Sequence, residues 1–260
     1  MNMKRKLIPA LAMLLISATM LTSASFAWFS INTTVTATGM EVQARAEPGI
    51  LISNQSTPDS GTWGASADSA LSGNQLLYPA STSDTTTWYK STSTSTSVHS
   101  GTDYTQISGS ASSYYATNNF YIMSAGTALD VTNLTIKSVT AAAHTGGSKQ
   151  DLHNSVRVAV KVDGDTNSKV YFFAPLNQGV GAYYVWNGSN LETDQITPSA
   201  GTAPVTVGIT KIPAKGQSPI HVTVYVYFEG EDENCKSDNL INTAKSLDIT
   251  LTFGYTPKAE

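Results

Sequence analysis

A single cysteine, Cys235, stands in a chain of 260 residues. No disulfide can form within one molecule, so the core and any pairing between subunits must hold the fold unaided. That thiol either joins two chains or is an unpaired bystander. Charge is scarce too: Asp, Glu, Lys and Arg make up 13% of residues, with 15 basic against 19 acidic side chains. A weakly acidic chain without basic runs has no electrostatic footprint for nucleic acid. Sustained helical spacing is missing. Also missing are a G-x-S-x-G elbow, a phosphate-binding loop and a dinucleotide fingerprint. None of His99, His144, His153 and His221 sits in an H-E-x-x-H helix, the spacing that sets two zinc ligands and a general base on one face. No catalytic residue, cofactor or enzymatic activity is therefore expected from motifs.

What the chain does have is Ser, Thr, Asn and Gly in abundance, so hydroxyls and amides must keep it soluble. Few charges are left to deter strand pairing at sheet edges. Its first segment carries Lys4, Arg5 and Lys6, then an apolar run from Leu7 to Met20, then small and polar residues to Ala27. This is the layout of a secretory signal helix, with Ser25 at minus three and Ala27 at minus one of a cut before Trp28. A retained membrane anchor is the rival, since Leu7 to Phe29 reaches the roughly 20 residues needed to span a bilayer. Cleavage removes Lys4, Arg5 and Lys6 and takes the formal charge from −4 to −7. With no sortase-type signal near Thr256–Glu260, contact with the membrane is expected only through the uncleaved segment.

The mature chain reads as one β-sandwich domain, 28–260. Trp28, Phe29 and Ile31 lead into Val35 and Ala37 with strand-like alternation. An aromatic start is unusual where termini are generally frayed and polar. Either it packs as an ordinary first strand, or it leaves its own subunit to complete a neighbour's sheet. Val156, Val158, Val160 and Val162 alternate with Arg157, Ala159 and Lys161, predicting a half-buried strand. The turn Asp163-Gly164-Asp165 then reverses it into Val170–Phe173. The same alternation recurs over Val222–Phe228 and Leu247–Phe253. Many short strands separated by turn residues indicate an antiparallel sandwich.

From Asn54 to Ser113 the sequence is rich in Ser and Thr and cannot bury a core of its own. It reads as an insertion, flexible around Ser91 to Gly101, with scattered aromatics such as Trp88 pinning it to the main domain. Tyr225 and Tyr227 stand two apart on the outer side of their strand. They predict cross-strand packing, with a sugar-stacking platform as the alternative. Two acidic loops are candidate calcium sites: Asp163 and Asp165, whose spacing lacks the glycine and closing glutamate of an EF-hand, and Glu231 with Asp232. The plainer reading is a hairpin turn in the first case and a solvated loop in the second.

The string Ser25-Phe26-Ala27-Trp28-Phe29-Ser30, followed by Val35-Thr36-Ala37-Thr38-Gly39-Met40-Glu41-Val42, resembles the start of the TasA and camelysin group, secreted proteins of Gram-positive bacteria. The resemblance is confined to Leu7–Ala44; beyond it only β-rich character is shared. It implies a jelly-roll subunit, processed by a SipW-type signal peptidase, that polymerises with itself into extracellular or biofilm-matrix filaments. In that scheme Trp28–Thr38, and within it Trp28, Phe29, Ile31, Val35 and Ala37, is the donor strand. Two alternatives stand beside it: a cell-surface adhesin or carbohydrate-binding module, and, because camelysin is described as a metalloprotease, a secreted metallopeptidase.

Overall fold

The computed structural model describes residues 35–37, 41–58, 62–70, 75–91, 104–108, 113–126, 131–143, 154–165, 168–175, 182–189, 191–192, 205–230, 232, 235 and 247–257. Among them the chain is all-β, with no α-helix. In chain order the strands are β1 (Val35–Ala37), β2 (Glu41–Ala46), β3 (Ile50–Ser53), β4 (Ser66–Ala70) and β5 (Gln75–Leu77). Then come β6 (Tyr89–Ser91), β7 (Tyr104–Gln106), β8 (Tyr115–Ser124), β9 (Val131–Ala143) and β10 (Val156–Val162). The last are β11 (Val170–Phe173), β12 (Ala182–Trp186), β13 (Leu191–Glu192), β14 (Val205–Thr206), β15 (Ile220–Phe228) and β16 (Leu247–Pro257).

Two sheets share one core. The first runs β13-β12-β11-β10-β15-β8-β3, the second β14-β9-β16-β2-β4. Neighbours are antiparallel except β2 and β16, which lie parallel, with Val42 beside Ile249 and Ala44 beside Leu251. Alternation explains the layering. Val156, Val158, Val160 and Val162 of β10 meet Val222, Val224, Val226 and Phe228 of β15 in register. All eight are buried in one cluster with Leu134, Ile136 and Val139 of β9 and Ile249, Leu251 and Phe253 of β16. β-branched residues dominate because their restricted χ1 suits a pleated, half-buried surface. Each such side chain contributes roughly 1.5–3 kcal/mol when taken from water.

Local irregularities have identifiable causes. Asn133, at φ 55°, sits where the β9–β16 register slips between Tyr255 and Thr256. It is a bulge residue of a type that tolerates left-handed backbone. Gly49, at φ 107°, ends the Pro48-Gly49 turn, and a Cβ there would overlap the Tyr255 hydroxyl.

Three features depart from the sequence reading. The outer face of β10 is buried as well, Arg157 and Ala159 included, because β10 is interior to its sheet and a second cluster covers that side. The stretch 54–113 is not wholly peripheral: β4 extends the second sheet beside β2, and Leu77 lies in the main core. β9, which the pattern predicts only over Leu129–Ile136, continues to Ala143 because β16 pairs along its length.

Candidate functional site

Ser25, Ala27, Trp28, Phe29 and Ile31 lie outside the described residues. Val35 and Ala37 fall in β1, which belongs to neither large sheet. Among the described residues β1 pairs only with β5, Val35 opposite Leu77 and Ala37 opposite Gln75, in a separate two-stranded ribbon. The two large sheets are built from Glu41 onward.

The acidic candidates are not brought together. Asp165 is buried, and its carboxylate accepts hydrogen bonds from the Tyr171 hydroxyl at 2.7 Å and the Gly208 N–H at 3.0 Å. It ties the β10–β11 turn to the segment after β14. Asp163 turns to the other face and meets His221 Nδ1 at 2.9 Å. His221 Nε2 faces Asn119 Oδ1 at 2.9 Å, and its ring stacks on Tyr121 with centroids 5.0 Å apart. Both ring nitrogens are thus engaged within the chain. His99, His144, His153 and Glu231 lie outside the described residues.

Asp232 of the second acidic loop turns inward, a correction to its reading as solvated. Asp232 pairs with Arg157 at 2.5 Å, the two side chains being 3% and 7% exposed. Arg157 also donates to the carbonyls of Asn154 and Val156. A guanidinium under the outer cover needs a counter-charge when desolvated, and the loop supplies it. Beside this pair Glu229 accepts a hydrogen bond from the Ser81 hydroxyl. The Cys235 side chain packs against the main core, and burial pushes its thiol up to about 12. Among the described residues no three His, Cys, Asp or Glu side chains converge as a metal site.

The outer face of the first sheet is covered by the Ser/Thr-rich stretch. Thr82 and Asp84 fold the segment Thr82–Trp88. The Thr82 hydroxyl accepts from the Thr85 N–H and donates to the Thr87 carbonyl, while Asp84 accepts from the N–H groups of Thr86 and Thr87. Burial acts to raise the Asp84 pKa, but these bonds to the charged form prevail and hold it below 3.8. The turn delivers Trp88, 3% exposed, onto the sheet. Its ring stacks on Tyr115 with centroids 4.3 Å apart and stands edge-on to Tyr227 at 5.0 Å. Its Nε1–H donates to the Thr85 carbonyl at 3.1 Å. Burial and the neighbouring Tyr115 raise the Tyr225 hydroxyl above 10.0. The Tyr225–Tyr227 face therefore has the chain's own tryptophan on it, where the alternative reading placed a sugar.

One stretch of sheet edge is open among the described residues. Ile52 spends its N–H and C=O on Gly64, so the rungs from β3 to β8 fall at Leu51–Met123 and Ser53–Tyr121. The Ala125 N–H bonds Gly49 on the β3 side, whereas Ser124 bonds Pro213 on the β15 side. Odd-numbered residues of β8 consequently point their backbone groups toward β3, and β3 ends at Ser53. Thr117 and Asn119, both exposed, face outward, and no described strand pairs with them, although β5 comes close to β8 without joining its sheet. On the inner face of the same stretch Asn118 is 1% exposed, and neither its amide oxygen nor its nitrogen has a hydrogen-bond partner. Sequence reasoning passed over Asn118. The available signal was an amide in the inward register of Ala116, Phe120 and Ile122. No family model, curated protein or solved structure matches the chain.

Proposed function

We propose that the mature chain is a secreted jelly-roll subunit that assembles head to tail into extracellular filaments by donating its N-terminal strand. One observation supports the reading above the others. β1 is the only described part of the donor segment, and it stands outside both large sheets, held to its own subunit by a three-residue ribbon. A segment so placed loses little by leaving. Trp28, Phe29 and Ile31 ahead of it are apolar enough to gain by burial, at roughly 1.5–3 kcal/mol per large side chain. Backbone rungs add about 0.5–1.5 kcal/mol each, against the entropy of ordering the strand. The contact is heterologous and does not close on itself, so it yields fibres in place of dimers. Signal cleavage is then the trigger, since it frees Trp28 only after export.

Electron microscopy of purified 28–260 at neutral pH tests this, alongside a chain beginning at residue 39. Fibres from the first and none from the second are expected. Fibres from both, or from neither, refute the donor-strand reading. Retained glycan binding by a chain that never polymerises would favour the adhesin reading.

A further inference from the structure

Resting on the donor-strand reading, we infer that the acceptor is the open edge of β8 from Tyr115 to Asn119, and that its occupant is Trp28–Thr34 of a second copy. Three observations converge there. Among the described residues no strand pairs with the outward backbone groups of Thr117 and Asn119, although β5 approaches β8 without joining its sheet. The window is bounded by the Ser53–Tyr121 rung at one end and by the bond from the Tyr78 N–H to the Ser113 carbonyl, 2.8 Å, at the other. Over Tyr115–Asn119 it offers roughly 16 Å of strand length, enough for about five residues of the Trp28–Thr34 segment, the rest overhanging it.

Asn118 singles out this edge. β9 also lacks a neighbour on its β14 side beyond Ile136 among the described residues, since β14 pairs only with Thr135 and Ile136. There, however, the inward residue is Val139, which completes the core and needs nothing. Behind the β8 window stands an amide shut away from water with both polar atoms unmatched, a state that native interiors rarely retain. In extended backbone Phe29, Ile31, Thr33 and Val35 share one face, and Trp28, Ser30, Asn32 and Thr34 the other. A strand laid with its apolar face inward brings a single hydroxyl, that of Thr33, to the interior, where it can both donate to and accept from an amide. Ser30 and Asn32 then lie outward beside Thr117 and Asn119, all uncharged.

The test uses cross-linking within fibres. Chains carrying Asn32→Cys and chains carrying Thr117→Cys, both with Cys235→Ala, are assembled as a mixture and treated with a short bis-maleimide. A covalent dimer on a denaturing gel is expected, and none when Thr140→Cys on β9 replaces Thr117→Cys. A dimer through Thr140→Cys, or fibres with no dimer, overturns the assignment. So does a closed monomer from the Asn32→Cys/Thr117→Cys double variant without dimer in the mixture, which would put the chain's own segment in the window. Failure of unaltered 28–260 to form fibres, scored first, overturns the donor-strand reading itself and this inference with it. Asn118→Leu supplies a second measurement. Below the assembly concentration it is expected to raise the melting temperature by a few degrees, because an unmatched amide is removed. It should also raise the concentration needed for assembly about tenfold, because the partner met on docking is lost. A lower melting temperature, or assembly at an unchanged concentration, overturns the role given to Asn118.

Discussion

Replacing Trp88 by alanine tests whether the Ser/Thr-rich stretch is held to the sandwich by one side chain. Trp88 is almost wholly buried and contacts Tyr115, Tyr225 and Tyr227, yet it belongs to the outer cluster and not to the main core. Truncating a buried tryptophan costs about 3–5 kcal/mol, and the stacked and edge-on pairs it makes account for roughly 0.5–1.5 kcal/mol apiece of that. Two outcomes follow from how the cover is coupled to the sheet. If it detaches alone, the cost is spent locally: Thr82–Tyr89 becomes a protease site and the near-ultraviolet dichroism of the aromatic group collapses, while the sandwich still melts cooperatively. Detachment also bares Tyr227, which the cover keeps fully buried against Ala159 and Phe172, so the sandwich itself must lose stability. For a domain of this size each kcal/mol shifts the melting temperature by about 2–4 °C. A fall of about 6–20 °C is expected for Trp88→Ala, and less for Trp88→Phe, which keeps the stack but loses the bond to the Thr85 carbonyl. A fall under about 2 °C with no new cleavage between residues 80 and 107 would refute the pinning role.

Two further outcomes concern titratable groups. Cys235, its thiol raised to about 12 by burial, should react with a thiol reagent at pH 8 on the order of a thousandfold more slowly in the folded chain than in guanidinium, where an ordinary value near 8.5 returns; rapid labelling of the native chain would refute the raised value. Asp84 is held below 3.8 in the folded chain, so its stabilisation is complete above that pH and is lost as pH falls through the lower folded value. Trp88 fluorescence should therefore report loosening of the cover only below pH 3.8, and Asp84→Asn should abolish that titration; an unchanged acid titration in the variant would show that Asp84 does not hold the turn.

The sequence made the inner layer legible and the outer one obscure, for a physical reason. Inward alternation is written into each strand by itself, so β10, β15 and β16 could be read from Val156, Val222 and Leu247 onward without knowing their partners. Burial of Arg157 depends on Asp232, 75 residues away, and on a cover that includes Ala80, Trp88 and Ile107, neither of which local periodicity reports. Asp163 and Asp165 look alike in sequence. They separate in space because one sits on each side of the turn, toward His221 and toward Tyr171. The parallel β2–β16 pair was likewise unreadable, since any two strands with one apolar face satisfy the same pattern. Asn118 was hidden by its neighbours: flanked by Ala116 and Phe120 on the inward register, it passes for part of an ordinary apolar run.

Scarcity of charge bears differently on each sheet edge. β4 bounds the second sheet with Asp68, whose carboxylate accepts from the Gln43 amide at 2.6 Å, so an approaching strand meets an anion already engaged. The unaccompanied part of β9 carries Lys137, paired with Glu47 at 3.6 Å, and a lysine on an edge is a recurrent means of discouraging a further strand. β13 and β14 are two residues long and offer little to pair with. The β8 window has Thr117 and Asn119 and no charge at all. A chain under pressure only to stay monomeric would place one of its few charges there, at small cost, because both positions are exposed. Leaving that edge neutral while charge marks β4 and β9 is the pattern expected when one edge must accept a strand and the others must refuse it.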